Sequence, residues 1–239
     1  MPHLFVNRLR MHDLTGFDPG LRKHFFWETV NAIVYKIGGV IFILGSICLL
    51  PRFEAYQGVG AQLFILGSLL YLIVSGHDLM ELTQYRKKLG KITREFLLEA
   101  CAGYCYFAGS LLFVIGRVIL FPEIGMTIAG AWMFIVGSCL FVIGATVNVL
   151  RIIYDSNKLT MQLMNLTAVT FVAGSLLFLF ASIPYLWSVD TGHDLRQLFD
   201  FLAWQYIIGS VFFLFGGVIN YWRAYIIMHH QLEIMKSKK

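Results

Sequence analysis

The 239 residues are 58% hydrophobic and 14% charged, against about 25% charged in an ordinary soluble domain. With a mean hydropathy of +0.70, too little polar surface remains to cover a water-soluble fold. The net charge of +5 does not mark a nucleic-acid surface, because its distribution along the chain follows membrane orientation.

Residues 1–29 are polar and mixed, with Arg8, Arg10, Arg22 and Lys23. They lack a short apolar core with a small-residue cleavage site, so no cleavable signal peptide is expected. Phe25-Phe26-Trp27, next to basic residues, reads as an interfacial anchor. Apolar runs then cover 31–50, 60–76, 101–121, 125–148, 161–187 and 201–222. Each is near the ~20 residues that carry a helix across ~30 Å of hydrocarbon, so six transmembrane helices are expected, the short second one gaining a turn at an end. They group into hairpins over 30–76, 99–148 and 161–222, joined by a basic linker at 77–98 and a second linker at 149–160, with a tail at 223–239. Pro51, Pro122 and Pro184 stand in the turns inside the hairpins and end the odd helices. In the longest turn, Thr191 caps a short surface helix over Asp194-Leu195-Arg196-Gln197-Leu198.

Of the 19 Lys and Arg, 15 lie in the N-terminal segment, the two linkers and the C-terminal tail, while Arg52 and Arg196 alone lie in the hairpin turns. The positive-inside rule places both termini in the cytoplasm. The run Tyr85-Arg86-Lys87-Lys88, with Lys91 and Arg94, reads as an orientation signal; contact with anionic headgroups is the alternative.

Every apolar run carries one copy of aromatic-x-x-Gly-Ser. The copies begin at Phe42, Phe64, Tyr106, Phe134, Phe171 and Tyr206, and end in Gly45-Ser46, Gly67-Ser68, Gly109-Ser110, Gly137-Ser138, Gly174-Ser175 and Gly209-Ser210. The odd-helix glycines step by 64 and 65 residues and the even-helix ones by 70 and 72, so the chain reads as three tandem, parallel-repeat hairpins. Four residues after each Gly come Leu49, Tyr71, Phe113, Phe141, Phe178 and Phe213. Spacings of three and four give one helix stripe, aromatic-Gly-aromatic everywhere except at Leu49. Glycines also recur seven apart, as at Gly38/Gly45, Gly60/Gly67, Gly109/Gly116, Gly130/Gly137/Gly144 and Gly209/Gly216, the period of a near-antiparallel seam. In lipid, helices associate through such small-residue notches, so the six Gly-Ser pairs are assigned to helix packing. The alternative is that the hydroxyls line a path for solute. The fold class is all-α: a polytopic six-helix bundle, its hairpins set around an axis or in a row.

Glu28-Thr29-Val30-Asn31 ahead of Phe42-Ile43-Leu44-Gly45-Ser46, followed by Leu63-Phe64-Ile65-Leu66-Gly67-Ser68, resembles the YrhK-like domain, a two-helix bacterial membrane domain. The resemblance covers about 25–90 and recurs twice, with a thinner lead-in each time: Glu95 and Glu99 before Gly109, then Asn165 before Gly174. It implies a bacterial inner-membrane location and transfers no catalytic residue.

Few residues carry chemistry. Lys36 and Arg117 lie near helix ends and read as snorkelling anchors, Arg117 outward with Glu123 beyond it; a buried functional charge is the alternative. Asp78, Asn148 and Asn220 each stand eleven residues after an even-helix Gly and form either a polar ring or plain helix-end polarity. Cys48, Cys101, Cys105 and Cys139 lie in membrane segments without a metal set. Gly-His-Asp-Leu occurs at His77 and again at His193, on opposite sides of the expected topology. His3, His12, His24 and the pair His229-His230 lie in the terminal segments without visible metal partners. No nucleotide loop, nucleophile-base pair or paired-carboxylate site is present, so no catalytic residue, metal or cofactor is assigned. The expected function is a non-enzymatic scaffold or accessory subunit of the bilayer, self-associating or part of a larger complex, without nucleic acid. A channel or transporter for a small or apolar solute is the alternative.

Overall fold

The computed structural model describes residues 21–89, 92–121, 124–149, 158–187 and 192–237. They hold six long helices and, among the described residues, no strand. The helices are α1 (Leu21–Ile47), α2 (Gln57–Leu89), α3 (Arg94–Ile119), α4 (Thr127–Val149), α5 (Lys158–Ser182) and α6 (Gly192–Ser237). All six are long and apolar enough to cross a membrane, and the chain is a six-helix membrane protein.

Helix ends follow local chemistry. Pro51 opens a 3₁₀ turn over Pro51–Tyr56, and Pro184 sits in another over Ile183–Leu186. Neither can donate to a helical ladder, so α1 and α5 stop just before them. Pro122 lies outside the described residues, but Gly125 takes a positive φ of 68° in the turn before α4, a conformation that suits Gly. Thr93 caps α3, its hydroxyl accepting the Phe96 N–H at 3.2 Å.

The helices outrun their apolar runs, because polar residues continue a helix once it has left the hydrocarbon. α2 stays helical through most of the basic stretch to Leu89. The expected surface helix at 194–198 is not separate: it is the first part of the 46-residue α6. Thr191, its expected cap, lies outside the described residues.

Each helix packs on its neighbours in sequence, and α6 returns to pack on α1. The bundle is therefore a closed ring, α1 to α6 in order, with hairpins α1–α2, α3–α4 and α5–α6 around a central axis. The end where α1 begins and α6 finishes is here the base; the opposite end, with Pro51 and Pro184, is the turn end.

Aromatic side chains fill the axis. All eleven aromatics of the Gly-centred stripes, joined by Tyr35, form one buried cluster. Several rings meet across helices that are not neighbours in the ring: Phe42 with Phe178, Phe64 with Tyr206, Phe113 with Phe178 and Phe141 with Phe213, with centroids 5.9–6.2 Å apart. Those contacts place the rings on the axis itself. In lipid the solvent supplies no hydrophobic drive between helices, so cohesion rests on this packing, each favourable ring pair adding about 0.5–1.5 kcal/mol.

Candidate functional site

Three features are candidates for function: the glycine seams, a polar belt at the base, and a cavity at the turn end.

The seams close the hairpins. A Cβ on Gly109 would lie 3.0 Å from the Gly137 carbonyl oxygen, and one on Gly137 would lie 3.2 Å from that of Gly109. Gly174 and Gly209 face each other in the same way, at 3.0 and 3.2 Å. The first hairpin differs. Gly45 faces Gly60, whose added Cβ would lie 3.1 Å from the Gly45 carbonyl, while Gly67 packs on the Phe42 ring. The seam there is engaged one seven-residue step nearer the turn.

The motif serines are all buried. Ser46, Ser68, Ser175 and Ser210 donate to the carbonyl of their own motif aromatic, four residues back, each at 2.7 Å. Ser46 and Ser210 also approach to 3.4 Å between α1 and α6. Gly thus notches the contact within a hairpin, and in this pair Ser faces the contact between hairpins. Ser110 and Ser138 are equally buried, and their hydroxyls have no hydrogen-bond partner among the described residues.

At the base, Asp78, Asn148 and Asn220 are all buried, on alternate helices of the ring. Asn148 Nδ2 donates to the Tyr106 hydroxyl at 3.4 Å. Buried polar residues join them: Asn31 on α1, Glu99 on α3 and Thr167 on α5, with Arg223 also on α6. Asn31 Nδ2 donates to His77 Nδ1 at 2.8 Å, and His77 Nε2 lies 4.0 Å from Glu81. Thr29 meets the Tyr221 hydroxyl at 3.3 Å, and the Lys36 ammonium lies 4.4 Å above the Tyr221 ring. Lys36 thus reaches from α1 to α6. Glu99 and Arg223 are inward groups beyond the expected polar set, and the helix period accounts for both: Glu99 shares a face with Ala102 and Tyr106, and Arg223 follows Asn220 by one helical turn.

At the turn end, a cavity of about 40 Å³ lies on the axis, lined by all six helices or the turns that follow them. Its polar wall is Arg117, Ser182, Tyr185 and Tyr206; its apolar wall includes Leu49, Phe64 and Phe134. Arg117 therefore turns inward, against the expectation of an outward anchor. The signal was present in the sequence: Arg117 stands four residues after Phe113, on the stripe itself. Glu123, its expected neighbour, lies outside the described residues. Tyr206 and Ser182 share a 3.0 Å hydrogen bond.

Cys48, Cys101, Cys105 and Cys139 are free thiols. Among the described residues, no group of three His, Cys, Asp or Glu side chains is placed to hold a metal.

The model of the family described as YrhK-like protein matches the chain twice, at residues 26–82 and 97–153. The first match takes in α1 and most of α2, and the second takes in α3 and α4. The third hairpin lies outside both matches, in line with its thinner lead-in before Gly174. No curated protein and no solved structure matches the chain.

Proposed function

The chain carries two tandem YrhK-like copies in a six-helix membrane bundle, and from that premise we propose that it is a non-catalytic membrane scaffold or accessory subunit. It works by associating with itself or within a larger membrane complex. The carrying observation is the axis: twelve buried aromatic rings pack into one cluster where a conduit would run. The α5–α6 hairpin is a diverged third copy of the same unit, since its Gly174–Gly209 seam has the geometry of Gly109–Gly137. The bundle sits in a bacterial inner membrane with the base and both termini in the cytoplasm, a reading supported by the Lys and Arg clustered in the base-side segments.

Light scattering on detergent-solubilised protein tests the reading. The expected particle exceeds one protein copy or brings a partner with it; a strictly monomeric, partner-free particle overturns it. The second reading, a channel or transporter for a small solute, draws on the polar features at both ends of the aromatic column: the belt around Asp78 and the cavity at Arg117. Flux above that of empty liposomes would favour it over the scaffold.

A further inference from the structure

We propose that the turn-end cavity binds one small monovalent inorganic anion of halide size, held by Arg117. The inference goes beyond the scaffold reading and does not depend on it.

The first ground is a cation with no counter-ion among the described residues. Arg117 is half-buried; its Nε is shut off from solvent and has no hydrogen-bond partner, and no ion pair to this guanidinium exists among the described residues. The groups that act on it electrostatically are two hydroxyls, Tyr185 and Tyr206. A guanidinium keeps its charge, and a lone cation inside a membrane bundle is costly unless something compensates it. A bound anion would supply that compensation.

The second ground is the cavity's chemistry. Among the described residues its wall carries one cation, three hydroxyls and no carboxylate. Ser182 donates to the Phe178 carbonyl at 2.7 Å and accepts from the Tyr206 hydroxyl at 3.0 Å; hydroxyl protons rotate to suit a partner, so Tyr185, and Tyr206 by giving up its bond to Ser182, can turn donors toward an anion. One water occupies roughly 10–15 Å³ of such space, so about 40 Å³ is room for about three waters, or for a monatomic anion with one or two waters beside it.

The third ground is where the cavity comes from. The turn-end layer of the stripes is aromatic at Phe64, Phe113, Phe134, Phe178 and Tyr206, and aliphatic only at Leu49. Leu49 lines the cavity. The single departure from the aromatic pattern thus falls where the space opens, next to the inward-facing Arg117.

The test is the chloride NMR linewidth of the purified protein in detergent, in a buffer whose only other anion is gluconate. Wild type is expected to broaden the chloride signal saturably, with bromide displacing chloride and inorganic phosphate failing to. Arg117→Gln should weaken binding by at least ~10-fold, the equivalent of ~1.4 kcal/mol. Leu49→Phe restores the aromatic layer and should abolish binding while the thermal transition is kept, which covers the case in which Arg117→Gln fails to fold. No saturable broadening by wild type overturns the proposal. So does broadening unchanged in both variants, which would place the chloride on surface arginines such as Arg52 or Arg196. Displacement by phosphate as readily as by bromide overturns the halide assignment.

Discussion

Gly45 faces Gly60 across the first hairpin: a Cβ on Gly60 would lie 3.1 Å from the Gly45 carbonyl oxygen and 2.8 Å from Cys48 Cβ. This contact, and not Gly45 with Gly67, sets the register of α1 against α2. It gives a direct chemical test. Gly60→Cys is expected to cross-link to the native Cys48 on mild oxidation, after the roughly 1 Å of movement that brings the Cβ atoms to a disulfide's ~3.8 Å. Gly67→Cys, seven residues further along α2, is expected to form no such link. Peptide mapping by mass spectrometry reads both, and a Cys48–Cys link in the Gly67 variant would overturn the register.

The seams should not tolerate even a methyl group. A Cβ at Gly109 would meet the Phe141 ring at 2.9 Å and backbone at 3.0 Å, whereas a Cβ at Gly58 meets nothing within 4 Å. Gly109→Ala is expected to destabilise by about 1–3 kcal/mol, the usual cost of overpacking, and Gly58→Ala to cost nothing. Thermal unfolding in detergent compares the two, and equal transitions would refute the seam.

Part of this was legible in the sequence and part was not, for physical reasons. The stripe was legible because spacings of three and four fix which residues share a helix face, whatever lies opposite. Eleven of its twelve flanking residues are aromatic and line the axis. The first hairpin's register was not legible. Gly60 and Gly67 are separated by the seam's own period, so both satisfy it, and the turn at Pro51–Tyr56 selects between them. Ring closure was equally hidden, because the contact of α6 with α1 leaves no local pattern. Arg117 carries two signals that disagree: its depth near the helix end suits an outward anchor, while its place four residues after Phe113 puts it on the inward stripe.

The polar belt predicts a graded response. Removing the Asn31 amide, which gives His77 one 2.8 Å hydrogen bond, should cost about 0.5–1.5 kcal/mol as Asn31→Ala. Arg223 is 3% exposed in the same belt as the buried Asp78 and Glu99. If Arg223 is the countercharge of those carboxylates, Arg223→Gln should cost about 3–5 kcal/mol. Denaturation in detergent orders the two. A loss for Arg223→Gln no larger than for Asn31→Ala would show that Arg223 does not compensate buried charge.

Phe178 is the hub of the aromatic column: its ring meets those of Phe42, Phe113, Tyr206 and Phe213, with centroids 5.1–6.2 Å apart. Phe178→Ala is expected to cost about 3–5 kcal/mol through lost packing and the void left behind. Phe178→Leu, which keeps most of the volume, should cost clearly less. The scaffold reading adds a second expectation: neither variant creates solute flux, because an apolar void in the axis stays dry and connects to no path. Liposome flux beside thermal unfolding separates the two functions. A Phe178→Ala protein that conducts while wild type does not would identify the aromatic column as a gate and shift the assignment from scaffold to channel.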